Sequence, residues 1–298
     1  MKKKLLLQER LTTFSLYAPS LFIYIGFFII PAIMGFLYSF TSWNGITSEA
    51  EFIGISNYIE LLQDKRFFTS ILNTLIILGS QLIFFVFGTL VLADLIEKST
   101  QRRMKKTLRF LYFFPYIFSY VVVAAIWSYI LNYRDGIINI IFRQTGLKFL
   151  VLDWLGSPKL VKQTIALINV WTFSGFNLVL YMAAIQGIDQ TVYESADIDG
   201  ANWINKFIHI TFPLVSPTFT VISVLALAWG LNTFEPVLIL TNGGPGFASE
   251  TISYYIYWAG FLGSRQGYGT AISLSLFIAT FIISIIQVKL LRKREIEF

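Results

Sequence analysis

Six long apolar stretches constrain this chain of 298 residues more than any other feature; they run over roughly 14–40, 70–96, 108–131, 161–187, 212–240 and 269–291. A helix rising 1.5 Å per residue needs about 20 residues to cross the ~30 Å hydrocarbon layer of a bilayer. Backbone amides in hydrocarbon find no water, so each stretch must satisfy its own hydrogen bonds as a helix. The expected fold class is therefore all-α, an integral membrane protein with six transmembrane helices. Composition agrees, because 55% of residues are hydrophobic and only 13% charged, against about 25% charged in a soluble domain. The organisation predicted is a tail over 1–13, a six-span domain over 14–291 and a second tail over 292–298.

The first apolar stretch follows Met1-Lys2-Lys3-Lys4, as a cleaved leader would. It is too long for a leader's apolar region and lacks a clear small-residue cleavage site, so it reads as a retained helix. The chain has no cysteine, which removes disulfides, thiolate metal sites and thiol nucleophiles. Its net charge of +6 does not point to nucleic acid, because the basic residues gather at the ends of the apolar stretches. Fifteen of the 23 fall in the N-terminus, the 97–109 connector, the 188–211 connector and the C-terminus; eight fall in the three other connectors. That bias predicts both termini in the cytoplasm.

The connectors are short and carry no separable domain. Residues 55–66 read as a short amphipathic helix, and Ile137, Ile138, Ile140 and Ile141 beside Asn139 and Arg143 as another lying in the membrane interface. The turn Thr241-Asn242-Gly243-Gly244-Pro245-Gly246 cannot continue a helix. Trp43, Trp127, Trp154 and Trp258 lie near span ends, where an indole suits the headgroup layer.

The 188–211 connector departs from the basic pattern, with Lys206 against Asp189, Glu194, Asp197 and Asp199. Contact with a basic protein surface would explain an acidic segment there; a solvated loop is the alternative. Residues 193–207 read as two short helices broken at Gly200, with Asp199 as a cap or turn former and Pro213 where the next span begins. A polar elbow of this kind suits the transmission of force.

Polar residues within spans face a partner or a pathway more readily than lipid. Trp229, Asn232 and Glu235 share a broad face of the fifth span, and Pro236 predicts a local break beside them. Asn169, Asn177 and Tyr181 of the fourth span are expected at the same cavity. Amides, a carboxylate and flat rings together suit a neutral sugar; interhelical hydrogen bonding is the competing explanation. Asp94 reads as structural. His209 is the only histidine, and no metal site or catalytic set is expected.

The run Tyr193-Glu194-Ser195-Ala196 to Asp199-Gly200-Ala201, then Ile210-Thr211-Phe212-Pro213, resembles the EAA signature of ABC importer permeases. Ser195 replaces an alanine of that pattern and Phe212 a leucine. Phe52-Ile53-Gly54, Asn57-Tyr58, Asn73-Thr74, Asp153-Trp154-Leu155, the Thr241–Gly246 turn and Tyr254-Tyr255-Ile256-Tyr257 resemble the carbohydrate-uptake branch of that family. The resemblance implies a type I importer permease in a bacterial cytoplasmic membrane. It implies that the 190–211 segment is a coupling helix seated in a cytoplasmic ATPase, with Glu194 and Gly200 as principal positions and Ser195, Ala196, Asp199, Ala201, Ile210 and Pro213 completing the pattern. It further implies a second homologous permease, two ATPase subunits, and an extracytoplasmic solute-binding protein facing Gly243, Gly244, Pro245 and Gly246. ATP and Mg would bind the partner ATPase; this chain has no G-x-x-x-x-G-K-[ST] loop and needs no cofactor of its own.

Three alternatives stay open at this level: a membrane transferase using the acids of 189–199 on a lipid-linked substrate, a self-sufficient secondary transporter, and an importer for a non-sugar solute.

Overall fold

A computed structural model describes residues 2–47, 49–99 and 101–292, with residues 2–12 and Arg292 described as backbone alone. The C-terminal tail from residue 293 on, with Lys293 and Arg294, lies outside the described residues. Among the described residues four helices are long and apolar enough to cross a membrane: Thr13–Tyr38, Lys65–Glu97, Val161–Gln186 and Gln266–Leu291. Two bent pairs, Arg102–Ile117 with Tyr120–Ile130 and Trp203–Leu214 with Ser216–Leu231, bring the number to six if each pair is one span.

The first bend revises the expectation of a continuous third span, and the second adds a bend at the start of the fifth, whose expected break lies at Pro236. Pro115 stands in the 3-10 turn Phe114–Ile117 that ends the Arg102–Phe113 helix. It has no N–H for the preceding turn, Phe118 and Ser119 are extended, and the chain turns by 98°. In the second pair the bend of 74° falls at Val215, between the short helical turn Phe212–Leu214 that holds Pro213 and the Ser216–Leu231 helix. Its far end is also cut short. The Ser216–Leu231 helix stops at Asn232, and a short helix resumes over Glu235–Leu240, because Pro236 can neither donate to residue 232 nor clear its carbonyl.

The chain divides into two compact units. The first comprises residues 1–64 and 256–276. In it the buried Asn57 donates to the carbonyls of Ser39 (2.8 Å) and Thr41 (2.9 Å), tying the Ser56–Gln63 helix to the end of the first long helix. Arg265 pairs with Glu60, and Tyr268 donates to Asp64 at 2.6 Å.

The second unit comprises, among the described residues, 65–255 and 277–292. Its core gathers Phe85, Leu90 and Ala93 with Leu178, Tyr181 and Met182 and with Val215, Phe219 and Ile222. Helices in lipid gain little from hydrophobic exclusion, so close packing and polar links decide how they associate. Gly175 is such a packing site: a side chain there would run into the backbone of Tyr112 and Phe113. Within the 132–160 connector the expected Ile137–Gln144 helix is present. Its buried Asn139 donates to the Leu152 carbonyl (2.9 Å) and accepts from the Trp154 indole (3.1 Å), so Trp154 has a protein partner rather than a purely headgroup role.

Candidate functional site

Two helices do form on either side of Gly200, and their ends are closed by the chain itself. Asp189 caps the Gln190–Ile198 helix, accepting from the Thr191 amide at 2.9 Å. That backbone bond, then the Thr191 hydroxyl, holds the Asp189 carboxyl below the usual carboxylate range. A lowered value means the ionised cap supports the helix above the ordinary carboxylate range and loses its effect as pH falls through that lower value. At the other end Gly200 takes φ +75°, a left-handed backbone that costs a residue with Cβ about 1–2 kcal/mol. Its amide returns to the Asp197 carbonyl (3.1 Å), and the Ala201 amide to that of Ala196 (2.9 Å), the paired closure of a Schellman motif. Asn202 then caps Trp203–Lys206 by accepting from Asn205. Asp199 is thus the C-cap of the first helix, and the N-cap of the second falls to Asn202.

Glu194, Ser195, Asp199 and Gly200 are exposed, while Ala196, Ala201, Ile210 and Pro213 are half-buried. Asp197 is paired with Lys206 at 2.5 Å. The elbow also presents apolar surface, since Ile198 is 88% exposed and Ile204 and Ile208 are more than half exposed. On its other side Phe207 and Phe212 pack against the core of the second unit.

Asp94 binds this elbow, a role the sequence reading did not give it. Its Oδ2 accepts from Lys98 Nζ at 2.8 Å and from the Trp203 indole at 2.7 Å; its Oδ1 accepts from the Thr211 hydroxyl at 3.2 Å. Thr211 in turn bonds to the Tyr193 phenol at 2.9 Å, and burial is the first cause raising that phenol's pKa. The available signal was the position of an acid at the C-terminal end of an apolar run, where charge needs partners.

Midway along the Lys65–Glu97 and Val161–Gln186 helices, a cavity of about 420 Å³ opens beside the break at 232–234. That volume lies within the range of small-molecule sites, about 300–1,000 Å³. Trp229, Asn232 and Glu235 line it, as expected, together with Gln81, Asn169, Tyr116, Tyr120 and Phe173. The Tyr120 phenol donates to Asn169 Oδ1 (2.8 Å), and Asn169 Nδ2 donates to Gln81 Oε1 (3.1 Å). Tyr120 stacks on Phe173 with ring centres 5.5 Å apart. Gly230 permits the close approach, because a Cβ there would collide with Leu78 and Gln81.

Asn177 and Tyr181 are not at this cavity, which corrects the expectation that they converge on it with Asn169. Both are buried in the core, where Asn177 donates to the Phe85 carbonyl at 3.3 Å. The physical reason is helical phase: eight residues along, Asn177 is turned about 80° from Asn169. Gln81, by contrast, was missed, although an amide inside an apolar run was the signal that marks it.

The Thr241–Gly246 turn is braced from within. Asn242, Gly243 and Gly246 have positive φ, and the Tyr254 phenol donates to Asn242 at 2.9 Å. Ser249 donates to the Gly244 carbonyl at 2.6 Å, while Asn73 donates to the carbonyls of Phe247 (2.8 Å) and Glu250 (3.1 Å).

Broken apolar helices around a cavity midway along two long ones, with a capped elbow between two apolar segments, define a membrane permease. Residues 99–296 match the family model of the binding-protein-dependent transport system inner membrane component, and the chain belongs to that family. It is similar to the probable ABC transporter permease protein YurN of Bacillus subtilis, 31% identical over 95% of this chain and 96% of that one. The multiple sugar-binding transport system permease protein MsmF of Streptococcus mutans is 31% identical over 93% of each chain. Among solved structures, a chain of a bacterial ABC transporter involved in import of the acidic polysaccharide alginate superposes with a TM-score of 0.87. That chain is 25% identical, with 98% of this chain and 99% of that one covered. Membership makes this protein a transport subunit of a membrane system and displaces the transferase and secondary-transporter readings.

Proposed function

We propose that this permease forms part of an ATP-driven importer that carries a carbohydrate, an oligosaccharide by preference, across a bacterial cytoplasmic membrane. The observation that carries the reading is the elbow over 190–211. It is closed at both helix ends by its own residues, yet leaves Glu194 and the apolar Ile198 uncovered. A rigid element with an uncovered mixed surface suits seating in a partner that does mechanical work.

That partner is a pair of cytoplasmic ATPase subunits, which bind the ATP and Mg. Glu194 pairs with a basic residue of the ATPase, and Gly200 holds the bend. The termini lie on the same side as the elbow, as the placement of basic residues requires. A second, homologous permease completes the pathway. An extracytoplasmic solute-binding protein delivers the sugar against the turn at Gly243, Gly244, Pro245 and Gly246, whose internal bracing presents a fixed surface.

Trp229, Asn232 and Glu235, with Gln81, Asn169 and Tyr120, form the sugar's passage through this half. Flat rings cover the apolar faces of a pyranose, and amides and a carboxylate exchange hydrogen bonds with its hydroxyls. The sugar names borne by relatives such as MsmF support the substrate class.

Purification of the tagged chain from its host in mild detergent tests the assembly. Stoichiometric ATPase and a second permease are expected, along with ATP-dependent uptake of labelled oligosaccharide in vesicles supplied with the binding protein. A solitary chain that transports unaided would overturn the proposal.

A further inference from the structure

Every side-chain hydrogen bond that leaves residues 189–211 among the described residues ends on one atom group, the carboxylate of Asp94. The other polar side chains bonded in this segment stay within it: Asp189 with Thr191, Ser195 with Thr191, Asn202 with Asn205, Lys206 with Asp197, His209 with Asn205, and Tyr193 with Thr211. Asp94 itself is 1% exposed and belongs to the Lys65–Glu97 helix. A buried carboxylate must be held by donors, and two of its three, the Trp203 indole and the Thr211 hydroxyl, come from the elbow. The third, Lys98, lies 5.4 Å from the Trp203 ring centre and so also bears on it.

We infer that Asp94 is the positioning residue through which movement of the elbow reaches the Lys65–Glu97 span and the cavity wall it forms. This rests on the reading of the 190–211 segment as the ATPase-coupled element. Charge-assisted hydrogen bonds are short, directional and roughly twice as strong as neutral ones, so the carboxylate moves with the elbow rather than slipping past it.

The helix then carries the displacement to the cavity, where Gln81 and Phe85 form the wall. Between Asp94 and Gln81 it contains a π-helical turn, Phe84–Gly88, a wider turn of the kind found at functional sites. Phe85 is part of that turn, and its carbonyl is also bonded by Asn177 and by the Thr89 hydroxyl. Any change in the pull on Asp94 acts on the segment that sets the position of Phe85 at the cavity.

The fifth span needs no such joint. Ser216–Leu231 continues directly from the elbow's second half, Trp203–Leu214, with only Val215 between them. Two walls of one cavity are therefore driven by different means, one covalently and one through Asp94.

The chain has no cysteine, so single reporters answer the question in the assembled importer. Gln81→Cys reports on the Asp94-linked wall, and Asn232→Cys on the covalently driven wall. Each is alkylated with a small maleimide, with and without Mg–ATP and vanadate.

In the parent, trapping should change both alkylation rates by about tenfold, the order of one charge-assisted contact made or lost. Asp94→Asn should abolish the change at Gln81→Cys and preserve it at Asn232→Cys, a split that general loosening would not produce. Trp203→Phe combined with Thr211→Val should do the same while leaving Asp94 to Lys98, and this pair decides the matter if Asp94→Asn fails to assemble.

A response at Gln81→Cys that stays within about twofold of the parent in these variants would overturn the inference. Glu194→Lys serves as the separate control on the underlying reading: it should silence both reporters. If both still respond with Glu194→Lys, or if neither responds in the parent, the coupling role of the elbow itself fails and the joint at Asp94 falls with it.

Discussion

Arg66 Nη2 lies 2.7 Å from Glu250 Oε2, and the glutamate side chain is 1% exposed. The guanidinium also stands over the rings of Phe247 and Tyr255, at 4.3 and 4.9 Å from their centres. This pair joins the start of the Lys65–Glu97 helix to the segment that follows the Thr241–Gly246 turn.

Removing one partner would strand the other charge, at a cost of about 3–5 kcal/mol for a fully buried pair. Because the Arg66 side chain retains 20% exposure, Arg66→Ala is expected to cost about 2–3 kcal/mol. Thermal unfolding in detergent should show it, and Arg66→Met with Glu250→Leu should recover most of the loss. An unchanged midpoint for Arg66→Ala would mean that the pair contributes little.

Gly200 offers a sharper functional test. Nothing crowds a Cβ built at this position, yet φ is +75°. Gly200→Val therefore meets backbone strain of at least about 1–2 kcal/mol, although its Cβ enters open space. Insertion and assembly should be normal while import falls at least about tenfold relative to ATP hydrolysed; equal coupling in the variant would show that the bend is dispensable.

At the cavity, Trp229→Ala removes a half-exposed ring that packs edge-on against Phe176. Loss of one stacking surface should raise the KM for imported oligosaccharide about tenfold with kcat less affected. Glu235→Gln should act in the same direction more weakly, since the amide keeps one acceptor. Uptake kinetics in proteoliposomes distinguish these from an unaltered KM, which would place the sugar elsewhere.

Tyr181 provides the opposite expectation. Among the described residues its hydroxyl and Asn177 Oδ1 are buried with no hydrogen-bond partner. Tyr181→Phe removes an unmet polar group and should leave KM unchanged while stabilising the chain by about 1 kcal/mol. A raised KM would return this residue to the pathway.

The comparison of Asn169 with Asn177 shows where sequence stops being informative. Both are amides in one apolar helix, and periodicity gives their angular separation but not which neighbouring helix covers each. The outline of the spans was legible because run length answers directly to bilayer thickness. The bend at 118–119 was legible in principle from Pro115, although an apolar run of uniform hydropathy concealed it. The break beside Pro236 and the two helices around Gly200 were read correctly because proline and glycine act locally. Asp94 was legible as a structural acid but its partners were not: its donors Trp203 and Thr211 are more than a hundred residues distant in sequence, and no local rule joins them.

The most direct test of the account places one cysteine at Ile198, the most exposed apolar position of the elbow, in this otherwise cysteine-free chain. A short bifunctional maleimide crosslinker is applied to the assembled transporter in native membranes, followed by mass spectrometry of the products. A crosslink to the ATPase subunit is expected, with a yield that changes when Mg–ATP and vanadate are added. A residue 198 that is alkylated only from the extracytoplasmic side, or that crosslinks to no ATPase in an active complex, would contradict it.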